Sequence, residues 1–162
     1  MHTLIQQTLA QLRSQRPLIL NITNIVTMDF IANGLSCVGA SPLMCQAKEE
    51  LEELIQLAAC VVINFGALND AFIDLAREAC QFANAYRKPL ILDPVGAGAT
   101  HYRTLVARHF LSTYKIAIVR GNASEIAALH EDDVSTKGID SLLNPLEALA
   151  AAQHLAQKYE TT

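Results

Sequence analysis

The sequence predicts an α/β fold, a largely parallel sheet flanked by helices. Two observations lead there. Short apolar runs suited to buried strands alternate with longer segments of helical periodicity. Four of those runs end in polar or glycine-rich turns: Asn21 to Asn24, Asn64 to Gly66, Asp93 to Gly98 and Arg120 to Glu125. In an open parallel sheet the carboxyl ends of the strands share one edge, and ligands bind there.

The elements follow in order. Thr3 to Leu12 reads as a first helix, stopped before Pro17. Leu18-Ile19-Leu20-Asn21-Ile22 reads as a buried strand and runs into Thr23-Asn24, where a helix N-cap belongs. Val26 to Val38 is a helix apolar on most sides, and Gly34 within it suggests close packing against a neighbour. Asn21, Thr23 and Asn24 are open to two readings, capping and turn formation or a ligand-facing polar cluster. Gly39 to Met44 is a turn and a short extended piece. Lys48 to Leu57 is a surface helix with Leu51, Leu54, Ile55 and Ala58 on one face and a solvated acidic run elsewhere.

Cys60 to Gly66 repeats the first pattern of apolar strand, asparagine and glycine. Asn69-Asp70 caps a helix with Phe72, Leu75, Ala76, Ala79, Ala83 and Tyr86 on one face. Leu90-Ile91-Leu92-Asp93 is the next strand. His101 to Thr113 is helical, Ile116 to Val119 is a strand, and Arg120 to Glu125 turns into another helix. Glu131 to Ser141 reads as a polar loop. Asn144 caps a last helix from Pro145 to about Lys158, with proline at its favoured first position. A further strand is expected after it.

Composition bounds the function. The chain has 162 residues, 51% hydrophobic and 17% charged, which suits one α/β domain over residues 1–162 and excludes disorder. The net charge is −4 with no basic block, so nothing supplies the cation cluster that nucleic-acid binding needs. No apolar run approaches the roughly 20 residues that cross a bilayer. Met1 to Arg16 is an amphipathic helix without the features of a signal peptide, so a cytoplasmic protein with no membrane partner is expected. Cys37, Cys45, Cys60 and Cys80 form no C-x-x-C pair and read as buried small hydrophobes.

Chemistry concentrates at the strand ends. Asp93 and Glu125 are carboxylates arriving there from neighbouring strands. They suit Mg²⁺, which keeps most of its waters and needs only one or two protein carboxylates beside a phosphate. Arg120 can pair with phosphate oxygens. Asn122 and Glu125 lie three apart at a helix start and can face one ion or its water shell, although Glu125 also suits the first-turn dipole. Gly96-Ala97-Gly98-Ala99 is neither a Walker A loop nor G-x-G-x-x-G, and a plain tight turn accounts for it equally. No Ser-His-Asp or Cys-His nucleophile is evident, and His109 and His130 read as helix-surface residues.

Taken together, Asn21 to Thr27, Ala32 to Leu35, Gly39 to Met44, Leu92 to Ala99 and Arg120 to Ile126 resemble hydroxyethylthiazole kinase. The likeness runs in order from about Leu4 to about Leu129, and Lys137 to Ser141 also resembles the family's following segment. It implies a ribokinase-like fold and a thiamine-salvage kinase. The reaction would be ATP-dependent, Mg²⁺-assisted phosphorylation of the hydroxyl of 4-methyl-5-(2-hydroxyethyl)thiazole. It also implies a homotrimer with the thiazole at the subunit contact. By motif, Asn24 and Met44 match thiazole-pocket positions, Met44 through its backbone. Asp93 and Glu125 match the magnesium and phosphate region, and Arg120 and Asn122 the ATP-phosphate contacts.

Family members are longer. Their further part carries more strands, most of the adenine pocket, and an anion hole with a catalytic cysteine. None of the four cysteines here sits in such a context, so the catalytic residue is unassigned. The chain reads as the N-terminal portion of a kinase, without its C-terminal strands. Two alternatives stay open: another ribokinase-like small-molecule kinase, or a non-catalytic fragment that binds thiazole or oligomerises.

Overall fold

A computed structural model gives the architecture; the structure describes residues 2–130 and 145–162. The loop read over 131–141, the cap read at Asn144 and the family-like segment 137–141 lie outside the described residues. The elements are α1(His2–Gln15), β1(Leu18–Ile22), α2(Met28–Val38), β2(Ser41–Met44), a 3₁₀ turn Lys48–Glu50, α3(Leu51–Leu57) and β3(Cys60–Asn64). Then come α4(Asp70–Ala85), β4(Leu90–Asp93), α5(His101–Thr113), β5(Ile118–Val119), α6(Ala123–His130) and α7(Pro145–Tyr159).

The five strands form one sheet in the order β2-β1-β3-β4-β5, with every pairing parallel. The chain steps outward from β1 to β2, then returns to β1's other side to add β3, β4 and β5. β1 and β3 therefore flank the topological switch point, where a crevice opens at the carboxyl ends.

Central strands are buried and read as near-continuous apolar runs. Leu20, Ile22, Val61, Ile63, Leu90 and Leu92 are each at most 1% exposed. α4 covers them with Ile73, Leu75, Ala76, Ala79, Cys80 and Ala83. Phe65 and Phe110 meet edge to face at 5.0 Å and close the core beneath the strand tips.

Several expectations need correction. α2 starts at Met28, after a turn, and Thr27 makes no side-chain cap. Asn24 Oδ1 instead accepts the N–H groups of Val26 and Thr27, an Asx turn that competes with helix for the same residues. A β-carbon on Gly34 would meet nothing within 4 Å, so that glycine packs on no neighbour among the described residues. No residue of α2 is buried, although the helix is largely apolar. In α4, Ile73 and Cys80 join the buried face while Tyr86, just past the helix, is 39% exposed. β5 is shorter than read, beginning at Ile118, though Ile116 is 1% exposed. On its open side, the Thr162 N–H donates to Ala117 O at 3.1 Å and the Val119 N–H to Thr162 O at 2.8 Å. That is the hydrogen-bond pattern of a parallel neighbour, at the place where a further strand was expected.

The cysteines divide. All four are free; Cys45 and Cys80 are buried, Cys60 is half-buried, and Cys37 is exposed on α2, against expectation. Burial pushes the Cys80 thiol up to about 12 from an ordinary 9.0. The folded state therefore keeps this group's contribution below pH 9 and loses it as the pH rises toward 12. Iodoacetamide at pH 8 should alkylate Cys37 first and leave Cys80 intact until denaturant is added. Mass spectrometry of digests reads this directly, and equal labelling of the two in folded protein would contradict the burial.

Candidate functional site at the strand tips

The four polar turns do come together at one edge. β1, β3 and β4 deliver Asn21 to Asn24, Asn64 and Asp93, and β5 delivers Arg120. Asn21, Thr23, Asn24, Asn64 and Asp93 are buried polar residues, and Arg120 is not. Parallel pairing sets Asn64 opposite Asp93.

A row of hydrogen bonds links them in strand order. Asn24 Nδ2 donates to Asn64 Oδ1 at 3.2 Å, and Asn64 Nδ2 donates to Asp93 Oδ2 at 3.0 Å. Arg120 Nη2 donates to the same Asp93 oxygen at 2.5 Å. The amide orientations are fixed by neighbours that can only donate. The Gly66 N–H meets Asn64 Oδ1 at 2.9 Å, and the Val26 and Thr27 N–H groups meet Asn24 Oδ1. Asp93 Oδ1 accepts nothing among the described residues. Arg120's side chain is 66% exposed, which leaves the rest of its fork open.

Glu125 sits differently. It is 6% exposed, and each of its oxygens accepts a backbone N–H, Gly96 to Oε1 and Asn122 to Oε2, both at 2.9 Å. Asn122 Oδ1 in turn accepts the Glu125 N–H at 2.9 Å, a reciprocal cap on α6.

The glycine-rich turn is self-contained. Its N–H groups at Gly96, Ala97, Gly98 and Ala99 go to Glu125 Oε1, Pro94 O, Thr104 Oγ1 and Gly96 O. The plain-turn reading is the one the geometry supports, since none of these four is left for a phosphate. Gly96 has φ 78, which glycine adopts without strain.

Arg103 was not singled out by the sequence. From the first turn of α5 its Nη1 donates to Phe65 O at 2.6 Å and Val95 O at 2.7 Å, tying the β3 turn to the β4 turn. Thr100, two residues after Gly98, caps that helix by accepting the Arg103 N–H at 3.2 Å.

At the switch point the crevice measures about 290 Å³. Its walls include Thr23, Asn24, Cys45, Gln46, Asn69 and Phe72. Met44, at the end of β2, does not line it, but the next two residues do. Thr23 Oγ1 is buried with no hydrogen-bond partner among the described residues.

Whether the site suits Mg²⁺ follows from these donors. Among the described residues, no cluster of three or more His, Cys, Asp or Glu is placed to hold an ion. One open Asp93 oxygen beside an exposed Arg120 suits a cation that keeps its waters and shares a phosphate, not an all-protein cage.

The sequence model of the Hydroxyethylthiazole kinase family matches residues 9–162. The chain belongs to the hydroxyethylthiazole kinase family. Hydroxyethylthiazole kinase of Brachyspira hyodysenteriae is 45% identical over 157 residues, covering 97% of this chain and 60% of that protein. The Desulfotalea psychrophila kinase is 41% identical over 155 residues, covering 96% and 57%. A solved structure of hydroxyethylthiazole kinase from Pyrococcus horikoshii superposes with a TM-score of 0.88 at 41% identity, covering 99% of this chain and 59% of that one. The chain thus spans about 60% of the length of a curated relative it matches. Its five-stranded parallel sheet is the fold expected of a family member. No helix among the described residues is long and apolar enough to cross a membrane.

Proposed function

We propose that this chain provides the thiazole crevice and the phosphate-side strand tips of a thiamine-salvage kinase. That kinase transfers the γ-phosphoryl group of ATP to the hydroxyl of 4-methyl-5-(2-hydroxyethyl)thiazole. The observation that supports it best is the row Asn24–Asn64–Asp93–Arg120, which runs from an apolar crevice to an open guanidinium. A small heterocyclic alcohol at one end and a polyphosphate at the other are the two substrates such a row would align.

In this reading Asn24 and the backbone after Met44 hold the thiazole, and Arg120 and Asn122 hold ATP phosphates. Asp93, through its open Oδ1, and Glu125, through its remaining lone pairs, would hold Mg²⁺ or its waters. Mg²⁺ would neutralise phosphate charge there. A cytoplasmic setting belongs to the same reading, in keeping with four free thiols.

A homotrimer belongs to the same reading, and α2 supports self-association. Ile25, Val26 and Phe30 are 75–84% exposed beside the crevice, and an apolar helix with no buried residue calls for a second copy. Phe30→Glu should shift the protein to monomer in sedimentation velocity, and an unchanged mass would sink this part.

Turnover is a separate question. The transferred phosphoryl group needs donors aimed at its charge, and the glycine-rich turn has none to spare. That favours the second reading, of a chain that binds thiazole without turning it over. Titration calorimetry on the purified chain should give saturable thiazole binding that Asn24→Ala weakens, and Mg-ATP binding that Arg120→Ala weakens. Little ADP should form. Binding of neither substrate would defeat the proposal, and thiazole-dependent ADP release at full kinase rates would defeat the second reading.

A further inference from the structure

Glu125 is placed between the two turns that carry the charged pair. Gly96, whose N–H it accepts, lies three residues after Asp93, and Asn122, whose N–H it also accepts, lies two after Arg120. A β-carbon on Gly121 would come within 3.2 Å of Glu125 Oε2, so the second turn approaches the carboxylate closely. On the far side of Gly96, Arg103 packs its side chain and donates to Val95 O.

The charged pair has one mobile member. The Arg120 side chain is 66% exposed while that of Asp93 is 13% exposed, so ordering a long, solvated side chain offsets part of the attraction at the arginine end. Glu125 is bonded at both oxygens to backbone N–H groups, and these bonds are charge-assisted, as the Arg120–Asp93 contact is. The contact fixed to backbone at both ends governs the one whose arginine can rotate away.

We propose that Glu125 is a positioning residue: its two oxygens fix the β4 turn to the β5–α6 turn and thereby set the approach of Arg120 to Asp93. This rests on the reading of the strand tips as the phosphate side of a kinase site. Of the two carboxylates proposed to hold Mg²⁺ or its waters, it makes Asp93 the direct contact and confines Glu125 to the waters and to the backbone it holds.

The test is Glu125→Gln in the whole chain, by NMR in the presence of EDTA. Glutamine keeps the size but turns one of the two oxygens into an NH2 donor, so one of the two N–H groups, each of which meets a different oxygen, loses its acceptor. Gly96 or Asn122 amide exchange should accelerate by about tenfold or more, while Gly98, held by Thr104, and the β3 amides change by less than about threefold. The Arg120 guanidinium ¹⁵N–H signals should collapse toward those of a freely rotating side chain, a change that loss of general stability alone would not confine to this residue. Unmoved Gly96 and Asn122 amides, or unmoved Arg120 signals once those amides are released, overturn the proposal.

Mn²⁺ then replaces EDTA as a paramagnetic probe. Broadening around Val95 and Gly96 should persist in the variant, and its selective loss overturns the proposal by making Glu125 a direct ligand. Absence of broadening in both proteins counts against the phosphate-side reading instead, while the amide and guanidinium signals still decide the role of Glu125. If Glu125→Gln does not fold, Asn122→Ala serves. It removes the return bond to the Glu125 N–H and leaves the backbone N–H groups of Gly96 and residue 122 on the Glu125 oxygens, so Gly96 should stay protected and Arg120 ordered, and loss of either overturns the proposal.

Discussion

Phe110→Ala should lower the melting temperature by roughly 10 °C, the largest stability effect expected in this protein. Phe110 is fully buried and touches Phe65 and Tyr114 with ring centroids 5.0 and 5.4 Å away. Removing a buried aromatic costs about 3–5 kcal/mol, from lost burial and from the cavity left behind. Collapse is hindered here because Phe65 is held from two sides, by the next ring at Phe72 and by Arg103 on its carbonyl. The damage should therefore reach the site, because Phe65 follows Asn64 directly. Thermal unfolding followed by circular dichroism measures it. A fall under about 3 °C would mean that neighbours refill the space and that the ring cluster does not support the strand tips.

Gly66→Ala should disconnect the crevice from Asp93 and Arg120. A β-carbon there would lie 2.3 Å from Asn24 Nδ2 and 2.9 Å from Asn64 Oδ1. Neither amide can yield cheaply. Asn24 is held by two backbone N–H groups, and Asn64 by Asp93 on its other end. Overpacking of this kind costs about 1–3 kcal/mol, and thiazole affinity should fall by more than tenfold, or about 1.4 kcal/mol. The double variant Gly66→Ala/Asn24→Ala tells a specific collision from general strain. Removing the Asn24 amide should make Gly66→Ala less costly, with a coupling of about 1 kcal/mol in urea titrations. Strictly additive losses would refute the collision.

Much of the fold was legible because burial and periodicity are local signals. β1 and α5 have the bounds read from their sequences, since each is closed by residues that cannot continue it, as Pro17 closes the approach to β1. Asn69 was legible as a cap for the same reason and accepts the Phe72 N–H at 2.8 Å. Gly34 misled because the space it leaves open is filled by none of the described residues.

The site was legible in its members but not in its wiring. Asn24, Asn64, Asp93 and Arg120 could each be placed at a strand tip. The bonds among them span 27 to 40 residues of sequence, and only strand order decides who meets whom. Thr100 and Arg103 were missed for different reasons. Thr100 carries a readable signal, a short hydroxyl residue before a helix. Arg103 carries none, because its partners are main-chain carbonyls that any sequence would provide.

The row across the strand tips has a consequence for proton traffic. Carboxamides donate and accept without exchanging protons at neutral pH, and both amides in the row are pinned in one orientation by backbone donors. No proton can travel from the crevice to Asp93 along Asn24 and Asn64. A proton leaving an alcohol bound in the crevice must depart through water or a group that touches the alcohol itself. These four side chains act as struts between the two ends, not as a wire.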